Sequence, residues 1–367
     1  MADYSQQIKE LEEQITKTKY NKKTEFAIGK YKAKLAQLKI KQEERRGIGS
    51  GGGTGTGWEV KRSGDGTVIL LGFPSAGKST LLNALTGAES QVAAYAFTTL
   101  TCIPGMMEYK HAKIQILDVP GIVQGAASGK GRGKEVLASM RSADFCLILL
   151  DATRPREYDV IVKEIYDTHI RLNQKKPDVK ITKTGKDGIR FGATVPLTHV
   201  TDEIATSILK EFRINNAEVV LREDITVDQF IDCIEGNKKY MPAITVVNKM
   251  DLVSEEELEK IMKKYHGDIA ISAKNNIGME ELKEIIYTKL DLINIFLKEP
   301  TKPADMDVPL IMFKDCTIKN VCDKLHKDFA RKFKFARVWG TSAKFGGQKV
   351  MMKHILSDGD ILEVHLK

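Results

Sequence analysis

The sequence predicts an α/β fold: a mostly parallel sheet with helices on both faces, carrying an N-terminal helical hairpin, an α+β insert and a small C-terminal domain. Three observations predict it. Strand-sized apolar runs alternate with helical stretches from Thr67 onward, a rhythm that implies parallel pairing. Residues 175–240 break that rhythm. Finally, the charge is gathered at the ends: residues 1–46 and 300–367 each carry +5, so the middle is −2 of a total of +8. Two basic ends on a near-neutral middle fit contact with a polyanion, or a solvated basic surface. A length of 367 residues suits two to four domains.

In chain order, Ile8, Leu11 and Ile15, then Phe26, Tyr31, Leu35 and Leu38, recur at helical spacing. They predict two helices within 3–45, broken near 19–23, with Asn21 capping the second. Residues 1–46 are read as a hairpin that packs on something else, and the glycine-rich stretch 47–66 as linker and lead-in. Thr67–Leu71, Ile114–Val119 and Phe145–Asp151 read as buried strands, and Ser79–Leu85 and Arg156–Leu172 as helices, within a first segment 67–174. In the insert, 175–240, KITKTGKDGIRFG reads as a hairpin, followed by a helix Asp202–Phe212 and a strand Ala217–Leu221. The alternation resumes over 241–299 with strands Ala243–Asn248 and Ile269–Ser272, each followed by a helix. Pro300–Pro309 is a proline-punctuated linker opening the last domain, 300–367, whose short strands surround one helix, Ile318–Phe329.

Several function classes drop out. No apolar run approaches the ~20 residues of a membrane span, and the N-terminus is charged from Asp3, unlike a signal peptide. Five scattered cysteines (Cys102, Cys146, Cys233, Cys316, Cys322) without a CxxC pair fit free thiols in a reducing cytosol, so a cytoplasmic location is expected. The seven histidines form no metal-binding pattern.

Three motifs carry the chemistry. GFPSAGKS (Gly72–Ser79) fits G-x-x-x-x-G-K-[ST], follows a predicted strand and opens a predicted helix. Such a loop cradles phosphates with backbone N–H groups at a helix N-terminus, which nominates Gly72, Pro74, Ser75, Ala76, Gly77, Lys78, Ser79 and Thr80. Lys78 is expected to reach the β- and γ-phosphates and Ser79 to ligate Mg²⁺. DVPG places Asp118 to hold Mg²⁺ through water and the Gly121 N–H to sense the γ-phosphate. NKMD (Asn248, Lys249, Asp251) reads guanine: Asp251 accepts from N1–H and N2–H₂, which adenine lacks. A carboxylate buried for two donors and left without them discriminates by several powers of ten. SAK (Ser272, Ala273, Lys274) adds a backbone N–H for guanine O6. The ligand expected is therefore GTP or GDP with Mg²⁺.

Within FTTLT, Thr99 is the expected second Mg²⁺ ligand, with Thr98 close behind. Ile122 stands where Ras-type GTPases place the glutamine that orients the attacking water, so intrinsic turnover is expected to be slow. In the glycine-rich stretch that follows, Lys130 and Arg132 could reach the γ-phosphate, Arg132 being the catalytic candidate, or form a solvated loop.

YxFTTL, DVPGIVQGA and GKGRGKEVL resemble the Obg-related GTPases, and within them the developmentally regulated GTP-binding proteins. WGTSAKFGGQKV and LSDGDILEVH are similar to the ubiquitin-like β-grasp module called TGS. The resemblance runs from about Ile8 to the C-terminus. It implies a P-loop GTPase domain interrupted by an insert resembling the second domain of ribosomal protein S5. It further implies a switch acting on ribosomes or RNA in translation, with a dedicated regulatory protein as a possible partner, and neither membrane nor DNA. The alternative it leaves is a GTP-binding scaffold for that partner, with hydrolysis incidental. Some relatives lacking the glutamine recruit K⁺ through a P-loop asparagine; Ser75 stands in that place, which leaves K⁺ open. Where the helix continues into RKFKFAR, Lys324, Lys327, Arg331, Lys332, Lys334 and Arg337 interleave with Phe329, Phe333 and Phe335, a pattern that suits RNA if the rings stack and a small core if they do not.

Overall fold

The structure is a computed structural model that describes residues 4–19, 21, 24–45, 63–86, 103–118 and 140–367. Its chain folds as two compact units. At the N-terminus, α1 (Tyr4–Lys17) and α2 (Glu25–Arg45) form the expected hairpin. Asn21 Oδ1 accepts from the Thr24 N–H at 3.0 Å while Thr24 Oγ1 accepts from the Asn21 N–H at 3.0 Å. This reciprocal cap satisfies donors that a helix start otherwise leaves bare.

The nucleotide-binding half opens with β1 (Gly66–Leu71), α3 (Lys78–Thr86), β2 (Ile103–Tyr109), β3 (Ala112–Asp118), β4 (Phe145–Asp151) and α4 (Glu157–Asp167). The helix expected over Arg156–Leu172 stops at Asp167. His169 takes a left-handed φ of 66°, which ends the helix, and the chain leaves as a short strand, β5 (Ile170–Leu172).

The insert comprises β6 (Val179–Lys183), β7 (Ile189–Ala193), α5 (Asp202–Glu211), β8 (Ala217–Leu221), α6 (Val227–Glu235) and β9 (Lys239–Met241). β6 and β7 do not form the expected hairpin. β8 lies between them, antiparallel to β6 and parallel to β7. Ala217, Val219 and Leu221 of β8 are buried in one core with α5 and α6, so this apolar strand takes the centre of the sheet and β6 and β7 its edges. α6 and β9 were not foreseen; α6 carries a full capping box on Thr226 and Gln229. Ala33 of α2 joins the same core, and Lys32–Asp228 (2.6 Å) ties the hairpin to α6. Beside it, Arg171 and Asp232 form a buried bidentate pair at 2.6 and 2.8 Å, with the guanidinium 3.6 Å from the Tyr166 ring centre.

The remaining elements are β10 (Ala243–Asn248), α7 (Glu255–Lys264), β11 (Ile269–Ala270), α8 (Met279–Lys289), β12 (Leu292–Leu297), β13 (Leu310–Phe313), α9 (Ile318–Leu325), α10 (Lys327–Lys332), β14 (Phe333–Trp339), β15 (Gln348–Val350) and β16 (Ile361–Leu366). The main sheet has the order β11-β10-β4-β1-β3-β2, parallel except for the edge strand β2. β1, β4 and β10 are buried at every position, as strands covered on both faces must be.

The C-terminal sheet, β13-β12-β16-β14-β15, begins at Leu292, ahead of the boundary expected at residue 300. Its first two strands serve two cores. Leu292 and Ile311 pack into the main-sheet core, while Ile293, Ile295 and Met312 pack into the C-terminal one; the two-residue period of a strand makes that division possible. Lys324 of α9 donates to Asp65 at 2.7 Å, just ahead of β1. The helix expected over Ile318–Phe329 breaks at His326, whose extended backbone (φ −163°) caps α10.

Candidate functional site

GFPSAGKS, Asp118 and NKMD converge on the carboxyl ends of β1, β3 and β10, where open parallel sheets bind ligands. The loop after β1 turns where only glycines fit. A Cβ on Gly72 would sit 2.7 Å from the Leu149 carbonyl oxygen. One on Gly77, at φ 95°, would sit 2.4 Å from Asn248 Nδ2. Ser75 holds a left-handed φ of 68° without being glycine. Lys78 Nζ donates back to the carbonyls of Gly72 (3.0 Å) and Phe73 (3.2 Å). Burial pushes its pKa below the usual lysine value, and the nearby Asp118 charge partly opposes this.

Ser79 Oγ donates to Asp118 Oδ2 at 2.9 Å. Asp118 is buried, and among the described residues its Oδ1 has no hydrogen-bond partner. A buried anionic oxygen without a donor is costly. Beside a hydroxyl, it is the hard-oxygen arrangement that fits Mg²⁺.

Asn248 locks the loops together. Its Nδ2 donates to the Ala76 carbonyl (2.8 Å), and its Oδ1 accepts from the Ala273 N–H (3.0 Å). Lys249, at φ 64°, donates to the Ser75 carbonyl (2.8 Å) and to Asp151 Oδ2 (2.6 Å). Asp251 is exposed at the cleft, in the short 3₁₀ turn Met250–Leu252. The cleft, about 490 Å³, is lined by Ser75, Gly77, Lys78, Ser79, Thr80, Asn248, Lys249, Asp251, Leu252, Ser272 and Lys274. Of the other expected site residues, Gly72, Ala76 and Ala273 shape the loops from buried positions, and Pro74 is exposed outside the lining. The expected roles of Thr98, Thr99, Gly121, Ile122, Lys130 and Arg132 fall on positions outside the described residues.

Two residues escaped the sequence reading. Leu252 lines the cleft although 62% exposed. Asp151, 2% exposed, closes β4 and accepts from Lys249 and from Thr153 N–H (2.9 Å) and Oγ1 (2.7 Å). Burial pushes its carboxyl up, but these donors outweigh burial and hold it below the usual carboxylate value. The signal was present: a charge ending six buried apolar residues needs a partner.

Comparison with known proteins agrees with this architecture. Residues 67–183 match a family described as 50S ribosome-binding GTPase, residues 186–292 the C-terminal region of that domain, and residues 296–366 the TGS domain. The developmentally regulated GTP-binding protein 2 of Homo sapiens is 41% identical over 98% of this chain and 98% of its own. The developmentally regulated G-protein 3 of Arabidopsis thaliana is 44% identical over 99% of each. The chain belongs to the developmentally regulated GTP-binding protein family. An uncharacterised GTP-binding protein of Methanocaldococcus jannaschii is 52% identical to this family member, over 99% of this chain and 93% of its own. This developmentally regulated GTP-binding protein is therefore a GTPase of the Obg-related type, with a mostly parallel P-loop domain and a C-terminal TGS domain.

Proposed function

We propose that the cleft binds GTP with Mg²⁺, and that its hydrolysis switches the action of this cytoplasmic chain on ribosomes or RNA in translation. The observation that carries the nucleotide reading is the pairing of Ser79 with a buried Asp118 whose second oxygen is unmatched among the described residues. The basic ends and the ribosome-binding family description support the choice of partner.

In this reading Lys78 leaves the carbonyls of Gly72 and Phe73 for the β- and γ-phosphates. Burial lowers its pKa, and phosphate charge would act in the opposite direction, favouring the ammonium form. Ser79, Asp118 and Thr99 would hold Mg²⁺, which neutralises charge developing on the transferred phosphoryl group. Asp251 takes the guanine N1–H and N2–H₂. The Ala273 N–H is committed to Asn248, and Ser272 and Lys274 are the SAK residues that line the cleft beside the base. With Ile122 in the water-positioning place, intrinsic turnover is slow and Arg132 contributes charge at the γ-phosphate.

The test is GTP turnover with and without ribosomes, in sodium and in potassium. Turnover is low alone and rises with ribosomes, and their co-sedimentation weakens as salt rises. A rate that ribosomes leave unchanged, with salt-independent binding to one protein, sinks the reading and leaves the scaffold. The ratio of rates in the two salts decides K⁺ at Ser75. Unchanged turnover in Arg132→Ala removes that residue from catalysis.

A further inference from the structure

Both strands of the edge hairpin β2–β3 are held near their turn by groups that lead to the C-terminal sheet. The turn is tight: Tyr109 pairs with Ala112, and Lys110 and His111 between them take left-handed φ values of 47° and 66°. On the β2 side, Glu284 of α8 accepts from the Tyr109 hydroxyl (2.6 Å) and from Lys110 Nζ (2.8 Å). Tyr287, one helical turn on, meets the Tyr109 ring edge-on with centroids 6.0 Å apart. Its hydroxyl accepts from Asn294 Nδ2 of β12 at 3.4 Å, and the Asn294 N–H is in turn held by Asp358, ahead of β16, at 2.7 Å. On the β3 side, the Lys113 N–H donates to Asp65 at 2.9 Å. Asp65 accepts from Lys324 of α9, which also donates to the Ile311 carbonyl of β13 at 2.6 Å.

The far end of the same hairpin carries a candidate metal ligand. Seven pairs run without a bulge from Tyr109–Ala112 to Ile103–Asp118. Ala112 and Asp118 are thus roughly 20 Å apart along the strand. β2 begins two positions after FTTLT, so one hairpin joins both segments from which Mg²⁺ ligands are expected. A regular, close-packed ladder passes a small displacement along itself. The contacts at the turn are of a kind that forms and breaks readily. Glu284 and Lys110 are half-exposed, and ion pairs so placed are weak. The Lys110 ammonium and the Tyr109 hydroxyl hold the Glu284 carboxyl below the usual carboxylate range, so the contact is formed at neutral pH.

We propose that Glu284 and Lys324 are positioning residues for the Mg²⁺ end of the cleft: through the β2–β3 hairpin they tie the state of the C-terminal sheet to the placing of Asp118. A ligand of that sheet then changes the affinity for Mg²⁺-nucleotide, and Mg²⁺-nucleotide changes the affinity of the sheet by the same factor. The inference rests on the reading of Ser79 and Asp118 as Mg²⁺ ligands and adds what governs them from outside the cleft.

The test is GTP turnover of the full chain titrated with Mg²⁺, beside GDP binding in EDTA. In Glu284→Ala and in Lys324→Ala the Mg²⁺ concentration for half-maximal turnover rises about threefold, the size that one exposed ion pair carries. GDP affinity in EDTA keeps its parental value, which a general loosening of the fold would not allow. Glu284→Gln retains an acceptor for the Tyr109 hydroxyl and restores most of the parental Mg²⁺ response. Hydrogen exchange over 292–297 and 310–313 differs between the GDP state and the Mg²⁺-bound state with a non-hydrolysable GTP analogue, and Glu284→Ala shrinks that difference. Circular dichroism certifies the fold; should one alanine variant fail to fold, the other decides. A parent indifferent to Mg²⁺ refutes the metal reading and this inference with it. A parent that responds to Mg²⁺, with folded variants titrating as it does, overturns the positioning role alone. So does an equal loss of GDP affinity in EDTA, or exchange over the C-terminal strands that is the same in both nucleotide states.

Discussion

Asp251, which the proposed reading sets against the base, and Asp151, which holds the neighbouring Lys249, make separable predictions. Asp251→Asn removes the acceptor for guanine N1–H, so preference moves from guanine to xanthine nucleotides; retained guanine preference in a competition titration refutes the assignment. Asp151→Asn weakens the grip on Lys249 and so on the Ser75 carbonyl. GDP dissociation then speeds up about tenfold, the equivalent of about 1.4 kcal/mol, measured by displacement of a fluorescent GDP. The pH dependence follows from the carboxyl being held below its usual range. Its stabilisation is complete above the unfolded value and is lost as pH falls through the lower folded value. The difference in melting temperature between the parent and Asp151→Asn is therefore full at neutral pH and shrinks only below about pH 4. The P-loop, DVPG and NKMD were legible because each needs particular residue types at fixed spacing. Asp151 was not, because its partner is fixed by strand order in the sheet, β10 lying beside β4.

Among elements, the sequence disclosed those with a strong local rule. Phe145–Asp151, Ala243–Asn248 and Ala217–Leu221 appear at the expected residues, since an apolar run bounded by turns specifies a strand without further help. What failed was long-range pairing. KITKTGKDGIRFG carries every sign of a hairpin, yet a strand some 30 residues onward separates its two halves. Likewise Arg156–Leu172 keeps a helical apolar pattern past the point where His169 turns the backbone. The aromatic segment Phe329–Phe335 divides between core and surface once β14 begins, which no helical reading could show. Two changes probe these elements. Thr226→Ala deletes the hydroxyl half of the α6 capping box, leaving the bond from its own N–H to Gln229, and costs about 1 kcal/mol in urea unfolding. Asp232→Ala strands Arg171 in the interior and costs about 3–5 kcal/mol; a loss below about 1 kcal/mol in the same assay would show that the pair is solvated.

Over the whole molecule, the nucleotide-binding sheet and the C-terminal sheet share side chains as well as chain. Leu292 and Ile311 fill the core beneath α8, and Lys324 is anchored on Asp65. Ligand binding at the cleft should therefore stabilise the C-terminal sheet too. In a Trp58→Phe background Trp339 reports that sheet alone. Its unfolding transition should move with GDP in step with the circular dichroism transition, by about 2.7 kcal/mol at a hundredfold excess over the dissociation constant. A Trp339 transition indifferent to GDP would mean independent folding.

The two-faced strands β12 and β13 also bear on how this chain can be cut. The proline-rich stretch 300–309 looks like a natural place for a protease or a gene boundary. A nick there leaves β12 on one fragment and β13 on the other, still paired in antiparallel register from Leu292–Phe313 to Ile295–Leu310. The fragments would stay together through that ladder. A fragment ending at residue 300 would expose Ile293 and Ile295 on an unpaired strand and tend to aggregate. The apparent linker is thus a loop between two strands of one sheet, and neither domain can be lifted out whole by cutting it.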